Sequence, residues 1–463
     1  MDTMDLRPVF DLQRQAHSKN PYPPARERRE NLNRLRASLL RRQEDLAVAI
    51  HADFGGRSRM EVLYSEMFVS VHALRHAAAH VDDWMQERPA SLDWPLQPAR
   101  AYVMPQPAGV VGVISSWNYP IFVSLAPMAG ALAAGNRILL KPSEHTPRTS
   151  ALLATMIAET FSADHVSVCQ GDAETGKAFA SLPFDHLIFT GSTAVGKQIM
   201  RAAAENLTPL TLELGGKSPA LIAEGANLSR AAADIVYGKL LNAGQTCIAP
   251  DYVLVPKPVR DRFVVAVREA IAKQYPNAVS NPDYTSIIND QQFVRLKAYV
   301  DEARAAGVEV IELGGSTGDR RFAPTLLLDP PDGLRVMQEE IFGPILPVVT
   351  YAETADAIAY VNARPRPLAL YLFASSERIV DRVLKETVAG GVCVNDTLVH
   401  IVAENLPFGG AGASGFGAYH GQAGFDACSR LKPVFRRQGI GLGVSLRPPY
   451  GRMHEWMRRV LIR

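Results

Sequence analysis

The chain predicts an α/β fold built on parallel, doubly wound sheets. Between Gly109 and Glu205, short apolar runs of strand length alternate with longer segments of helical pattern. This βαβα order calls for parallel strands joined by crossover helices. The alternation resumes after Glu213 and continues to about Asn395, which makes a second α/β region. The length agrees: 463 residues, 47% apolar and 21% charged, suffice for about two or three domains with large cores.

Arg26 to Ala52 places Leu32, Leu35, Leu39, Leu46 and Ile50 at helical spacing, with charged residues on the other faces. That is the pattern of an amphipathic helix, and Tyr64 to Met85 repeats it. Prolines at 89, 95, 98, 105 and 107 forbid helix beyond Arg88, and Ala101 to Met104 between them reads as a strand. Gly109 to Ile114 is a buried strand, Ile121 to Ala134 a helix, Asn136 to Leu140 a strand and Pro147 to Thr160 a helix. His186 to Thr190 and Val195 to Glu205 form the next strand and helix. The second region starts with a strand at Ala220 to Ile222, a helix at about Leu228 to Leu241 and a strand at Tyr252 to Val255. After Lys432 a loose run of Leu, Gly and Pro leads to a basic amphipathic piece, Met453 to Arg463.

Composition narrows the function classes. A formal charge of +2 predicts no nucleic-acid partner. The four cysteines, at 169, 247, 393 and 428, include no Cys-x-x-Cys pair, so no metal site is expected and a reducing cytoplasm is. Met1 to Asp5 is acidic and lacks the apolar core of a secretory signal. The longest apolar stretch, around Leu125 to Ala134, is short for a bilayer and contains Pro127 and Gly130, so no membrane span is expected.

Gly191-Ser192-Thr193-Ala194-Val195-Gly196 closes a predicted strand and opens a helix. Ser192 or Thr193 can cap that helix, and its free N–H groups and positive dipole end favour a phosphate. Taken alone, an ordinary glycine turn explains the stretch equally well. Gly410-Ala411-Gly412-Ala413-Ser414-Gly415 matches the dinucleotide fingerprint letter for letter, yet Pro407-Phe408 precedes it in place of a strand. Gly417 follows where a helix should run, and the acidic residue about twenty positions on is missing, so this match is set aside. Lys141-Pro142-Ser143-Glu144 follows a parallel strand end, where ligands of open α/β sheets gather.

Cys247 sits in Gly244-Gln245-Thr246-Cys247, Glu213 in Glu213-Leu214-Gly215-Gly216-Lys217, and Asn118 in Trp117-Asn118-Tyr119-Pro120. A thiol, a carboxylate and an amide are the parts needed to attack a carbonyl, activate water and hold an oxyanion. A buried cysteine is commonly a small hydrophobe, the reading that suits Cys169, Cys393 and Cys428.

These three stretches, in this order and spacing, resemble the aldehyde dehydrogenase superfamily, and the resemblance runs from about Arg28 to about Lys432. It implies an aldehyde dehydrogenase-like fold: a Rossmann-like cofactor domain (1–88 and 106–213), an α/β catalytic domain (214–425), a small β oligomerisation arm (89–105 and 426–440) and a tail (441–463). It implies Cys247 as nucleophile, Asn118 as oxyanion donor and Glu213 as the base that hydrolyses a thioester. Gly191, Ser192 and Gly196 then serve the pyrophosphate, Lys141 and Glu144 the adenosine ribose, Glu340 the nicotinamide ribose and Phe342 the nicotinamide ring, with Trp117 also counted among the cofactor-binding residues. Glu144 repels a 2′-phosphate, which makes NAD the expected cofactor and NADP the alternative. Glu213 weighs against relatives that pass the acyl group to coenzyme A, and the three reacting groups together weigh against a noncatalytic binding protein.

Thr246 to Tyr252 and Ser414 to Gly421 resemble the class 3 branch, which handles fatty and aromatic aldehydes. Asn395 to His400, Lys432 to Phe435 and Arg447 to Gly451 resemble the coniferyl aldehyde dehydrogenases within it. An aromatic aldehyde is therefore the expected substrate, a medium- or long-chain aliphatic one the alternative, and a homodimer the expected assembly, with a tetramer as the alternative. One departure is Ser116, where many relatives have proline.

Overall fold

The computed structural model describes residues 6–439 and 447–462. Three sheets organise it. The first has six strands in the order Gly415–Phe416, Leu210–Leu214, His186–Gly191, Val110–Ile114, Arg137–Lys141, Val166–Val168. Its neighbours are parallel except the first pair, where Gly415 lies antiparallel opposite Glu213. Helices Phe122–Ala134, Pro147–Thr160 and Thr193–Ala204 make crossovers between its strands. Every residue of Phe122–Ala134 is buried, which explains why its sequence is apolar all round rather than along one stripe.

The second sheet has seven strands in the order Glu309–Glu312, Thr325–Leu328, Ile345–Tyr351, Tyr252–Pro256, Pro219–Ile222, Ala369–Phe373, Gly391–Val394. Only the first pair is antiparallel. The third sheet is small and antiparallel: Arg88–Ala90, Ala99–Pro107 and Ser429–Arg437. It joins the predicted strand at 101–104 to the segment around Lys432.

The predicted elements appear with three differences. The helix expected over Arg26 to Ala52 is two, Ala25–Arg41 and Gln43–Phe54, with Arg42 at the break. The helix expected over Tyr64 to Met85 contains a π-helical turn, Leu63–Phe68, before Val69–Trp84. Leu210–Leu214, which carries Glu213, is a strand that the apolar pattern does not reveal, because buried Thr211 and Glu213 interrupt it. The set-aside glycine run forms a loop ending in the short strand Gly415–Phe416. A Cβ on Gly415 would lie 1.9 Å from the Leu212 carbonyl oxygen.

The basic piece of the tail forms a helix, Arg452–Leu461, with Met457 buried and Trp456 exposed. Residues 1–5, 440–446 and 463 lie outside the described residues, and with them parts of the N-terminal and tail readings. No helix among the described residues is long and apolar enough to cross a membrane. Among them no group of three or more His, Cys, Asp or Glu could hold a metal ion.

Candidate active site

Cys247 follows a strained turn. The helix Leu228–Leu240 ends in Leu241–Gly244, where Asn242, Ala243 and Gly244 have φ of 53°, 51° and 76°. Left-handed backbone at consecutive residues is costly and persists only where surrounding contacts enforce it. Here they do. Asn242 Nδ2 donates to the carbonyls of Asn118 (3.0 Å) and Gln245 (3.1 Å). Gln245 Nε2 donates to the carbonyls of Asn242 (3.0 Å) and Ser286 (3.1 Å), and its Oε1 accepts from Ile288 N (2.9 Å). Gly244 has no substitute, because a Cβ there would lie 2.4 Å from the Gly343 carbonyl oxygen.

Asn118 lies between the strand Val110–Ile114 and the helix Phe122–Ala134. Glu213 stands near the end of its strand, 3% exposed, and neither carboxyl oxygen has a hydrogen-bond partner. Burial raises its pKa well above the usual carboxylate range. Burial also pushes the Cys247 thiol up to about 12, with the Glu340 and Glu213 carboxylates adding to the effect. Glu340 rises to about 8, first through burial and then through Asp251. Glycine makes room for this carboxyl: a Cβ on Gly215 would meet Glu340 Oε2 at 1.9 Å. Cys247, Glu213, Asn118, Trp117, Glu340 and Phe342 all line one cavity of about 540 Å³. Phe342 holds a left-handed φ of 48°, and its ring meets Trp117 edge to face at 5.3 Å between centroids.

A second cavity of about 700 Å³ contains Lys141, Glu144, Gly191 and Ser192. Ser116, Trp117, Thr190, Gly191, Ser192 and Gln292 line both, so the two form one continuous groove. Ser192 Oγ accepts from Val195 N (3.4 Å) and caps the helix Thr193–Ala204 at the groove. Lys141 is buried, and its Nζ lies 3.2 Å from Glu144 Oε2. Gly196 lies buried in the same helix start against Leu214, whose Cδ2 would be 2.7 Å from a Cβ, so its smallness lets the helix approach the strand closely.

Sequence reasoning missed a buried charge cluster beneath this loop. Arg57 is 1% exposed and bonds Glu61 Oε1 (2.9 Å) and Glu66 Oε1 (3.0 Å). Glu66 Oε2 also accepts from Ile121 N (2.8 Å) and Phe122 N (3.1 Å), and Glu61 Oε2 from Asn242 N (3.1 Å). The signal available was Glu66, a charge between Tyr64 and Phe68 in a segment read as amphipathic helix.

Two doubly wound sheets meeting at a dinucleotide-sized groove, with a thiol at one end of it, describe a cofactor-dependent oxidoreductase. The chain belongs to the aldehyde dehydrogenase family, whose model matches residues 3–434. It is similar to the "Probable coniferyl aldehyde dehydrogenase" of Pseudomonas aeruginosa, 49% identical over 96% of this chain and 94% of that one. The "Coniferyl aldehyde dehydrogenase" of a Pseudomonas species is 46% identical over 99% and 96%. Among solved structures, the substrate-bound state of Staphylococcus aureus AldH superposes with a TM-score of 0.93 at 36% identity, covering 98% of this chain and 99% of that one. A Mycobacterium tuberculosis aldehyde dehydrogenase complexed with NAD+ gives 0.84 at 30% identity, covering 93% and 89%. The protein is an NAD(P)-dependent aldehyde dehydrogenase.

Proposed function

We propose that the chain oxidises an aromatic aldehyde of the coniferyl type to its carboxylic acid. One observation carries this reading. From Thr246, beside Cys247, an apolar cavity of about 320 Å³ extends away from the groove, lined by Tyr64, Phe68, Tyr119, Phe122 and Tyr237 among others. Flat aromatic walls suit a flat aryl substrate, with the tyrosine hydroxyls as polar tips. The Pseudomonas relatives that carry the coniferyl name support the same reading.

In the proposed sequence Cys247 gives its proton to solvent water and its sulfur bonds the aldehyde carbon as the carbonyl π bond breaks onto oxygen. The carbonyl oxygen becomes negative, and the Asn118 amide and the Cys247 backbone N–H donate to it. A bound nicotinamide would supply the acceptor for the hydride that leaves that carbon. A thioester on Cys247 remains. Glu213 takes a proton from water, the water oxygen bonds the acyl carbon, and the C–S bond breaks to release acid and thiolate. Glu213 is suited to this because burial makes it a stronger base than an exposed carboxylate.

The residues present fit the cofactor. Glu340 is half-buried with its Oε1 shielded from solvent and unpartnered, and we assign this acceptor to the nicotinamide ribose hydroxyls. Lys141 and Glu144 would hold the adenosine ribose, Gly191 and Ser192 the pyrophosphate at the capped helix start, and Trp117 and Phe342 the nicotinamide side. Glu144 tilts the preference to NAD. We further assign the first sheet with its helices to cofactor binding and the second to catalysis. The small sheet is proposed as the arm of a homodimer, and the cytoplasm as its location.

A panel of coniferaldehyde, benzaldehyde, hexanal and longer alkanals tests the substrate, read by NADH absorbance with and without coenzyme A. The highest kcat/KM is expected for coniferaldehyde, without need of coenzyme A. A clear advantage for long alkanals replaces this reading with the aliphatic one, and dependence on coenzyme A replaces hydrolysis with acyl transfer.

A further inference from the structure

A carboxamide has two ends of nearly equal size, one donating and one accepting, so a flip of Asn118 would present oxygen to an oxyanion in place of N–H. What prevents the flip is legible at both ends of the residue. The backbone end is clamped: the Asn118 carbonyl accepts from Arg57 Nη1 (3.0 Å) and Asn242 Nδ2 (3.0 Å). The next residue is fixed as well, because Tyr119 OH shares a hydrogen bond with Thr246 Oγ1 (2.7 Å) and its ring packs 4.7 Å from the Arg57 guanidinium. The remaining freedom lies in the side chain, and there Ser116 Oγ donates to Asn118 Oδ1 at 2.6 Å. This occupies the accepting end and leaves Nδ2 as the end available to the cavity that Asn118 shares with Cys247.

We propose that Ser116 is a positioning residue for the oxidation: its hydroxyl holds the Asn118 carboxamide with the amino group toward the oxyanion beside Cys247. The proposal rests on the reading of Asn118 as oxyanion donor. Ser116 touches neither the reacting carbon nor the sulfur in this scheme and acts only through Asn118.

The test compares Ser116→Ala, Ser116→Thr, Asn118→Ala and the double variant Ser116→Ala/Asn118→Ala in the full chain. Two rates are read. One is the pre-steady-state hydride burst with NAD and benzaldehyde. The other is release of p-nitrophenolate when p-nitrophenyl acetate acylates Cys247 without NAD; there the sulfur bonds the acyl carbon through the same oxyanion and the C–O bond breaks. Ser116→Ala is expected to slow both by about tenfold, the scale of a misaimed oxyanion donor, with KM for NAD changed less than about twofold. Ser116→Thr keeps the hydroxyl and restores the rates. In the Asn118→Ala background, Ser116→Ala costs nothing further, the signature of a residue acting through another. Equal losses in both backgrounds, a shift confined to KM for NAD, or full rates in Ser116→Ala beside a slow Asn118→Ala each overturn the proposal. Full rates in Asn118→Ala sink the oxyanion assignment itself, and this proposal with it.

Discussion

At Cys247 two effects act in the same direction. Removal from water and the nearby carboxylates of Glu340 and Glu213 both disfavour the thiolate, so at neutral pH the sulfur keeps its proton. Glu213 is raised too, for the first of these reasons. The working forms in the proposed mechanism are the deprotonated ones. Raised values therefore mean that fewer molecules are competent at neutral pH and more as pH rises, and kcat is expected to climb through the alkaline range. Glu213→Gln should leave a one-equivalent NADH burst in stopped flow while steady turnover falls about a hundredfold or more. Undiminished turnover in that variant removes Glu213 from the mechanism. That Cys247, Glu213 and Asn118 belong together could be read from the sequence because each lies in a short, distinctive motif, and the three line one cavity. Arg57 and Glu66 could not be, because their meaning comes from Asn118 and Ile121, more than fifty positions away, and no local pattern encodes that contact.

Secondary structure was easier to anticipate where one face of an element is apolar, and harder where packing alone sets a boundary. Pro147–Thr160 matches its predicted limits because proline starts it and its polar and apolar faces are distinct. The break at Arg42 escapes notice because helical periodicity carries across it, and Gly415–Phe416 because two residues hold no pattern at all. The turn Leu241–Gly244 offers a direct test of enforced strain. Gly244→Ala meets both a left-handed φ of 76° and the Gly343 carbonyl, whereas Gly307→Ala meets a φ of 77° in open space. Urea denaturation should give Gly307→Ala a loss of about 1 kcal/mol. Gly244→Ala should lose more, about 3 kcal/mol or above, and most of its activity, since Cys247 follows three residues later.

The three-sheet plan was anticipated as a layout but not in its cross-connection. Nothing in a linear reading places Gly415 beside Glu213, because strand order depends on tertiary packing rather than on either segment alone. The small sheet raises the question of assembly. Ser429–Arg437 pairs on one side with Ala99–Pro107, and Leu431 and Phe435 leave 40% and 50% of their surface open. Residues four apart on a strand share a face, so these two form one apolar strip. In the proposed homodimer that strip is covered. Sedimentation should give twice the chain mass for the native protein, and Leu431→Asp/Phe435→Asp should move it toward a single chain while the melting temperature of the separated subunit remains measurable.

The pairing of Gly415 with Glu213 constrains how ligands come and go. The Leu214 amide donates to the Ser414 carbonyl, so backbone that follows the second sheet in sequence is sewn into the first sheet. The two large sheets cannot swing apart like jaws without tearing that seam and carrying Glu213 with it. In the proposed assignment the dinucleotide then enters by the long groove and the aldehyde by the aromatic cavity beside Thr246, with neither route needing the two sheets to part.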